Sequence, residues 1–263
     1  MQPSPSRSSL IPMEELARER LLELEGCLNF RDLGGYRTED GRRTRWGRLF
    51  RSDALHHMSP RDVALVRDEL GIRTVVDLRS TAERTREPMA ALYAPPFRAH
   101  HIPLFDRDRS GAAPALPLDE LYRALLAVAR EPMARIVRVL AEAHEPGLFH
   151  CAAGKDRTGL VAAVVLGAVG VRDADIVDDY AATRRSLERI VDRLRGSSSY
   201  DYVFTELPPD TLHAEPETME RLLAHVARDH GSMRGYLLGS GVAEADLASL
   251  ESALLESGRD RVS

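Results

Sequence analysis

Short apolar runs alternate along the chain with longer stretches in which apolar residues recur every third or fourth position, the rhythm of strands and helices taken in turn. Residues 74–78 (TVVDL) and 147–150 (GLFH) read as buried strands, the first from its β-branched content and the second from its compact apolar run. Residues 20–25 alternate leucine with charged residues and residues 98–104 carry a similar pattern, so each is expected as a strand. Asp40-Gly41 sits between two alternating arms and predicts a hairpin over residues 36–51. The segment 29–36 before it reads as a turn with two glycines.

Helix signals fill the intervals. Ser59-Pro60 supplies a cap and a first-turn proline, so residues 61–70 should be helical and stop at Gly71. Ser80 and Glu83 have capping-box spacing for another short helix. From Leu118 to about Ala143 two helical segments are expected, with the break at Pro132. Residues 160–169 are apolar on every side, as in an interior helix. Asp173 is placed to cap a helix through Tyr180, and residues 184–195 continue helically. In that segment Leu187, Ile190, Val191 and Leu194 form one stripe, and Arg185, Arg189 and Arg193 another face. Residues 215–228, 233–238 and 243–255 complete the pattern as helices separated by glycines, and residues 12–19 read as a short one near the start. Strands interleaved with helices make the chain α/β.

Composition narrows the chemistry. With 263 residues and 43% hydrophobic residues the chain can bury a sizeable core, while a net charge of −5 argues against a partner held by bulk positive field, nucleic acid above all. Cys27 and Cys151 are the two cysteines, too few for a disulfide framework, and a reducing cytoplasm is the expected location. No apolar stretch is long enough to cross a membrane, and the first residues have no apolar core of the kind a signal peptide needs. Lys155 is the single lysine; every other cationic side chain apart from histidine is arginine.

That lysine lies in the segment where the chemistry concentrates, His150-Cys151-Ala152-Ala153-Gly154-Lys155-Asp156-Arg157-Thr158-Gly159, which runs from a strand through a tight loop into a helix start. Backbone N–H groups in such a curl lack intrahelical partners and favour an anion. Ala152, Ala153 and Gly154 leave room for the backbone to close on a phosphate-sized oxyanion, and Arg157 adds a planar fork matching two phosphate oxygens. The same positive field favours an anionic sulfur at Cys151, a nucleophile beneath the bound group. A nucleotide loop would require Ser or Thr directly after the lysine, where this chain has Asp156.

Cys151, five intervening residues, then Arg157 and Thr158 resemble the signature loop of the cysteine-dependent phosphatases, and the full string HCAAGKDRTG is similar to that of the bacterial tyrosine phosphatases that also hydrolyse phosphoinositides. NFRDLGGY at residues 29–36, and VVDLRS at residues 75–80 with Glu83, resemble two further segments of that branch, in the same order. The resemblance implies a central mixed sheet flanked by helices, with a helical lid and C-terminal extension. Residues 1–11 would be a flexible tail, 12–263 a single phosphatase domain, and 184–214 a candidate lid. It implies hydrolysis of phosphomonoesters through a phosphocysteine intermediate, with no cofactor and no metal. The partners are then phosphorylated proteins or phosphoinositides, with membrane contact at most peripheral; the sequence carries no indication of oligomeric state.

Roles follow from the same reading. Cys151 attacks phosphorus; residues 152–157 cradle the phosphate; Thr158 supports the sulfur; His150 braces the loop. The leaving-group acid is Asp156 inside the loop, Asp106 on the long loop before Leu118, or Asp77 at a strand end beside Arg79. The resemblance puts Arg31 and Asp32 next to the site, whereas the residues themselves read equally as an ion pair fixing their turn. Arg185, Arg189 and Arg193 are either a solvated face or arginines offered by a lid to an anionic substrate. Cys27 is a small buried filler, or a partner for Cys151 under oxidation. A phosphate-binding module without turnover is the alternative to an enzyme.

Overall fold

The computed structural model describes residues 20–105, 116–201, 204 and 209–256. Its strands are β1 (Arg31–Asp32), β2 (Leu49–Ser52), β3 (Thr74–Asp77), β4 (Arg98–His101) and β5 (Gly147–His150), joined in one sheet in the order β1-β2-β5-β3-β4. β1 runs antiparallel to β2, and the other pairings are parallel, so the sheet is mixed. Successive side chains on a strand face opposite ways, and this divides the core in two. Phe50, Val75 and Leu148 pack with Phe30, Val66 and Ile72 on one face; Leu49, Val76 and Phe149 join the larger, helical core on the other. Burial on both faces is why these strands read as continuous apolar runs rather than alternating ones.

The capping signals form as expected. Ser59 accepts from the Asp62 amide and Asp62 from the Ser59 amide, which starts α1 (Pro60–Ala64); a wider turn over Leu65–Glu69 extends it to Gly71. Ser80 and Glu83 cap α2 (Thr81–Arg86) in the same reciprocal way. The next two helices are α3 (Leu118–Val128) and α4 (Arg130–Glu142), and they part at Ala129, not at Pro132. Pro132 sits in the first turn of α4, where the N–H it lacks would have had no intrahelical partner, so it begins a helix instead of breaking one. α5 (Asp156–Ala168) is buried along nearly its whole length, as its apolar circumference requires. α6 (Asp173–Ala181) has Arg172 as its cap, one residue before the position expected, and α7 (Leu187–Arg195) follows a short 3-10 turn.

Three helices close the chain: α8 (Pro216–His230), α9 (Met233–Gly239) and α10 (Glu244–Leu254). They pack respectively on α6 and α3, on α5, and on α4, completing the helical core. Residues 20–25 do not form the strand that their alternation suggests. Leu22 and Leu24 are buried, but the segment makes a single bridge, Leu21 to Arg31. The hairpin around Asp40-Gly41 is closed by one bridge between Arg37 and Arg43. The expected helix at 12–19 and the tail at 1–11 lie outside the described residues.

Candidate active site

The strand β5 ends at His150 and α5 begins at Asp156, so residues 151–155 form the curl between them. It leaves the sheet where His150 is flanked by Ser52 of β2 and Asp77 of β3, at the carboxyl ends of parallel strands, the edge at which open α/β sheets bind ligands. The loop is held from behind by its carbonyls. That of Ala152 accepts from the Ala54 amide at 2.9 Å, and that of Ala153 from Asn29 Nδ2 at 3.4 Å. That of Gly154 accepts from Asn29 Nδ2 at 3.1 Å and Arg51 Nη2 at 2.7 Å. A peptide whose carbonyl is turned to the scaffold presents its N–H the other way, into the curl. Gly154 has φ +66°, and a Cβ there would lie 2.6 Å from the Asp53 nitrogen, so no side chain fits. Cys151 is buried at the floor of a cavity of about 810 Å³ that this curl helps to line.

Buried charges hold the scaffold. The β1–β2 register sets Arg31 opposite Arg51, two like charges that would repel at close range. Asp179 of α6 lies between them, accepting from Arg31 Nε at 2.9 Å, from Arg51 Nη1, and from the Tyr36 hydroxyl at 3.0 Å. Burial works against the Asp179 charge, but the two guanidiniums outweigh it and hold the carboxyl well below the usual range. Arg31 therefore pairs with Asp179 and not with Asp32, because neighbours on a strand point to opposite faces. Asp32 instead accepts the amides of Gly34 and Gly47, each at 2.7 Å, while burial pushes its carboxyl up to about 6. Asp53 takes the amides of Leu28 and Asn29 and faces Arg193 at 3.3 Å.

On the cavity side the groups are less enclosed. Arg157 directs Nη1 and Nη2 to the two oxygens of Glu83, at 2.5 and 2.7 Å. Glu83 is aimed by its place in the α2 cap, where Oε2 also accepts the Ser80 amide at 2.7 Å. Burial opposes its charge; the Arg157 guanidinium and the hydrogen bonds bring the carboxyl down to about 2. Asp156, half-buried on the cavity wall, accepts from the Tyr122 hydroxyl at 2.5 Å and pairs with Lys155 Nζ at 2.7 Å, both through Oδ1. The buried Lys155 ammonium also donates to the His213 carbonyl at 2.8 Å.

Thr158 Oγ1 is buried without a hydrogen-bond partner, so the bond expected from it to the Cys151 sulfur is not formed. His150 is fully enclosed, with Nδ1 3.2 Å from the Cys151 carbonyl; burial pushes its imidazole down to about 4, which keeps it neutral at neutral pH and suits a brace. Asp77 is buried and gripped by Arg79 Nε and Nη2, at 3.0 and 2.9 Å, with the Tyr93 hydroxyl at 3.2 Å. Burial alone would raise its pKa; His150 beside it and the Arg79 bonds hold the carboxyl well below the usual range. Asp77 is thus committed to Arg79 and is not a free proton donor to the cavity, a correction to its candidacy as acid. Asp106 lies outside the described residues.

The remaining cavity wall is apolar. Leu121 and Leu125 of α3 face it, as do Leu187, Ile190, Val191 and Leu194 of α7, with Phe105 and Leu212. α7 meets the site with its apolar stripe and not with its arginines. Arg185 and Arg189 are exposed, while Arg193 turns behind the loop to the Gly26 carbonyl at 2.7 Å and to Asp53. Cys27 is a free buried thiol with Sγ 3.9 Å from the Ala54 carbonyl. Arg51, Asp53, Asp179 and Tyr122 were not singled out by sequence reasoning. The one local signal was an arginine inside the apolar run of β2, where a charge needs a buried partner.

A sulfur at the floor of a curl whose carbonyls face away, with an arginine in the first turn of the following helix, defines a cysteine-centred anion site on an α/β sheet. Residues 22–256 match the tyrosine phosphatase family, and the chain belongs to that family: it is a protein-tyrosine-phosphatase-like hydrolase of phosphoric monoesters. It is 30% identical to the triple specificity protein phosphatase PtpB of Mycobacterium tuberculosis, over 89% of this chain and 98% of that protein. It is 27% identical to a tyrosine-protein phosphatase of Nostoc commune, over 72% of this chain and 68% of that one. Among solved structures, that of P. aeruginosa TpbA in complex with phosphotyrosine shares 20% identity and a TM-score of 0.36, covering 77% of this chain and 91% of that chain.

Proposed function

We propose that the protein hydrolyses phosphotyrosine and phosphoinositides through a phosphocysteine intermediate formed on Cys151. The sulfur attacks phosphorus in line with the leaving oxygen; the amides of residues 152–157 and the Arg157 guanidinium stabilise charge on the equatorial oxygens. Asp156 protonates the leaving oxygen and then takes a proton from the water that attacks phosphorus and releases the thiolate. Asp156 is preferred as acid because it is half-buried on the cavity wall, whereas Asp77 is enclosed by Arg79. Thr158 has its hydroxyl buried and unpartnered at the start of α5, which suits a donor recruited when the sulfur leaves.

The observation that carries the reading is the backward anchoring of the loop carbonyls by Ala54, Asn29 and Arg51, above a buried Cys151. Apolar side chains around the cavity suit an aryl ring or the apolar part of a lipid attached to the phosphate. No helix of the described residues is long and apolar enough to cross a membrane, and we place the enzyme in the cytoplasm with membrane contact at most peripheral. The test is turnover of an aryl phosphate and of phosphoinositide vesicles by purified protein, with vanadate and with a chelator. The expected outcome is activity that vanadate blocks, the chelator spares and Cys151→Ser abolishes. Phosphate binding without turnover in the wild type would mark a binding module instead.

A further inference from the structure

Tyr122 belongs to none of the segments that carry the family resemblance, yet it reaches the loop from α3, 34 residues before Asp156. Its side chain is fully buried; its hydroxyl lies 2.5 Å from Asp156 Oδ1 and 3.0 Å from the Tyr180 hydroxyl, and the two rings meet edge to face at 86°. Gly159 makes room for this arrangement, since a Cβ there would come within 3.1 Å of the Tyr180 ring.

The direction of the chain of bonds is forced by proton count. A phenol has one proton, and that of Tyr122 goes to the carboxylate, which can only accept when ionised. Tyr180 must therefore donate to Tyr122, and Tyr122 to Asp156 Oδ1. Lys155 Nζ, 2.7 Å away, points its positive charge at the same oxygen. Burial, and then the nearby Asp156 charge, push the Tyr122 phenol well above its usual range, so it stays a donor throughout any working pH.

Resting on the assignment of Asp156 as the acid, we propose that Tyr122 is a positioning residue for proton transfer. By keeping Oδ1 as an acceptor it confines the transferable proton to Oδ2 and fixes the carboxyl plane toward the leaving oxygen. In the first step the Oδ2–H bond breaks and the proton joins the ester oxygen. That oxygen keeps the electron pair of its breaking bond to phosphorus, while Cys151 Sγ forms its bond on the opposite side. In the second step Oδ2 accepts a proton from the attacking water as the S–P bond breaks. The carboxyl must return to one orientation in both steps, and a fixed Oδ1 does this without a search.

The test compares the full-length enzyme with Tyr122→Phe on aryl phosphates whose phenols range from dinitrophenol to phenol. The variant keeps the ring and loses the hydroxyl. The expected kcat/KM loss is about tenfold for phenyl phosphate and less than about twofold for dinitrophenyl phosphate, because a good leaving group departs unaided. An equal loss across the series, or none, overturns the proposal. Asp156→Asn should show a steeper form of the same dependence, and Tyr122→Phe should add nothing in that background. If Asp156→Asn shows no dependence, the acid assignment itself fails. If it shows one and Tyr122→Phe does not, only the positioning role fails. Tyr180→Phe, which removes the donor to Tyr122, supplies a second reading should Tyr122→Phe fold poorly: a loss of about threefold confined to the poor leaving groups is expected, and a uniform one counts against the proposal.

Discussion

Two arginine–carboxylate systems stand on either side of the phosphate loop, and they differ in what surrounds them. Behind it, Arg31, Asp179 and Arg51 are enclosed, with Tyr36 and Asn29 taking further bonds, and Arg51 passes its remaining reach to the Gly154 carbonyl. In front, Arg157 and Glu83 form a fork that borders the cavity. The chemistry is the same; the solvent is not. A charge pair closed off by protein sets geometry, and breaking it strands a charge with no water to receive it. A pair that opens on a cavity can orient a cation for a ligand that arrives later. The loop works as an anion site because the first system keeps its carbonyls turned away while the second keeps its cation in place.

The contrast breaks most severely from behind. Asp179→Ala leaves Arg31 and Arg51 facing each other across β1 and β2, and denaturant unfolding should show a loss of about 3–5 kcal/mol, with phosphate binding lost as well. In front, Glu83 has its carboxyl held at about 2 against an ordinary 4.5, so its contribution is fully present above pH 4.5 and disappears as pH falls toward 2. Unfolding measured across that window should show Glu83→Gln lacking about 3 kcal/mol of the wild-type acid sensitivity. Arg157→Lys keeps the charge but loses the fork, and should lower kcat/KM about a hundredfold with stability little changed. The smallest effect is expected on the apolar wall: Val191→Ala should raise KM for an aryl phosphate about threefold while leaving inhibition by inorganic phosphate unaltered. An Asp179 variant as stable as wild type, or an Arg157 variant that unfolds, would erase the distinction between the two sides.

Features written in neighbouring residues were legible from the chain alone. The two capping boxes, the buried strands at 74 and 147, and the loop from His150 to Gly159 all depend on local spacing, and all form. What escaped depends on residues far apart. Asn29, Arg51, Asp53, Tyr122 and Asp179 meet only after the sheet is assembled, and separately each looks like an ordinary polar residue. Two readings failed for identifiable reasons. Helix periodicity put Arg193 with Arg185 and Arg189, but its side chain turns from that face to the buried Asp53. Adjacency suggested an Arg31–Asp32 pair, and strand geometry forbids it.

Whether Cys151 carries the phosphoryl group decides the whole account, and a rapid denaturing quench during turnover of an aryl phosphate, followed by peptide mass mapping, measures it directly. One phosphoryl group on the peptide containing Cys151, absent from Cys151→Ser, is the predicted result. Steady turnover with no phosphorylated peptide, or a phosphoryl group on His150 or Asp156, would contradict it.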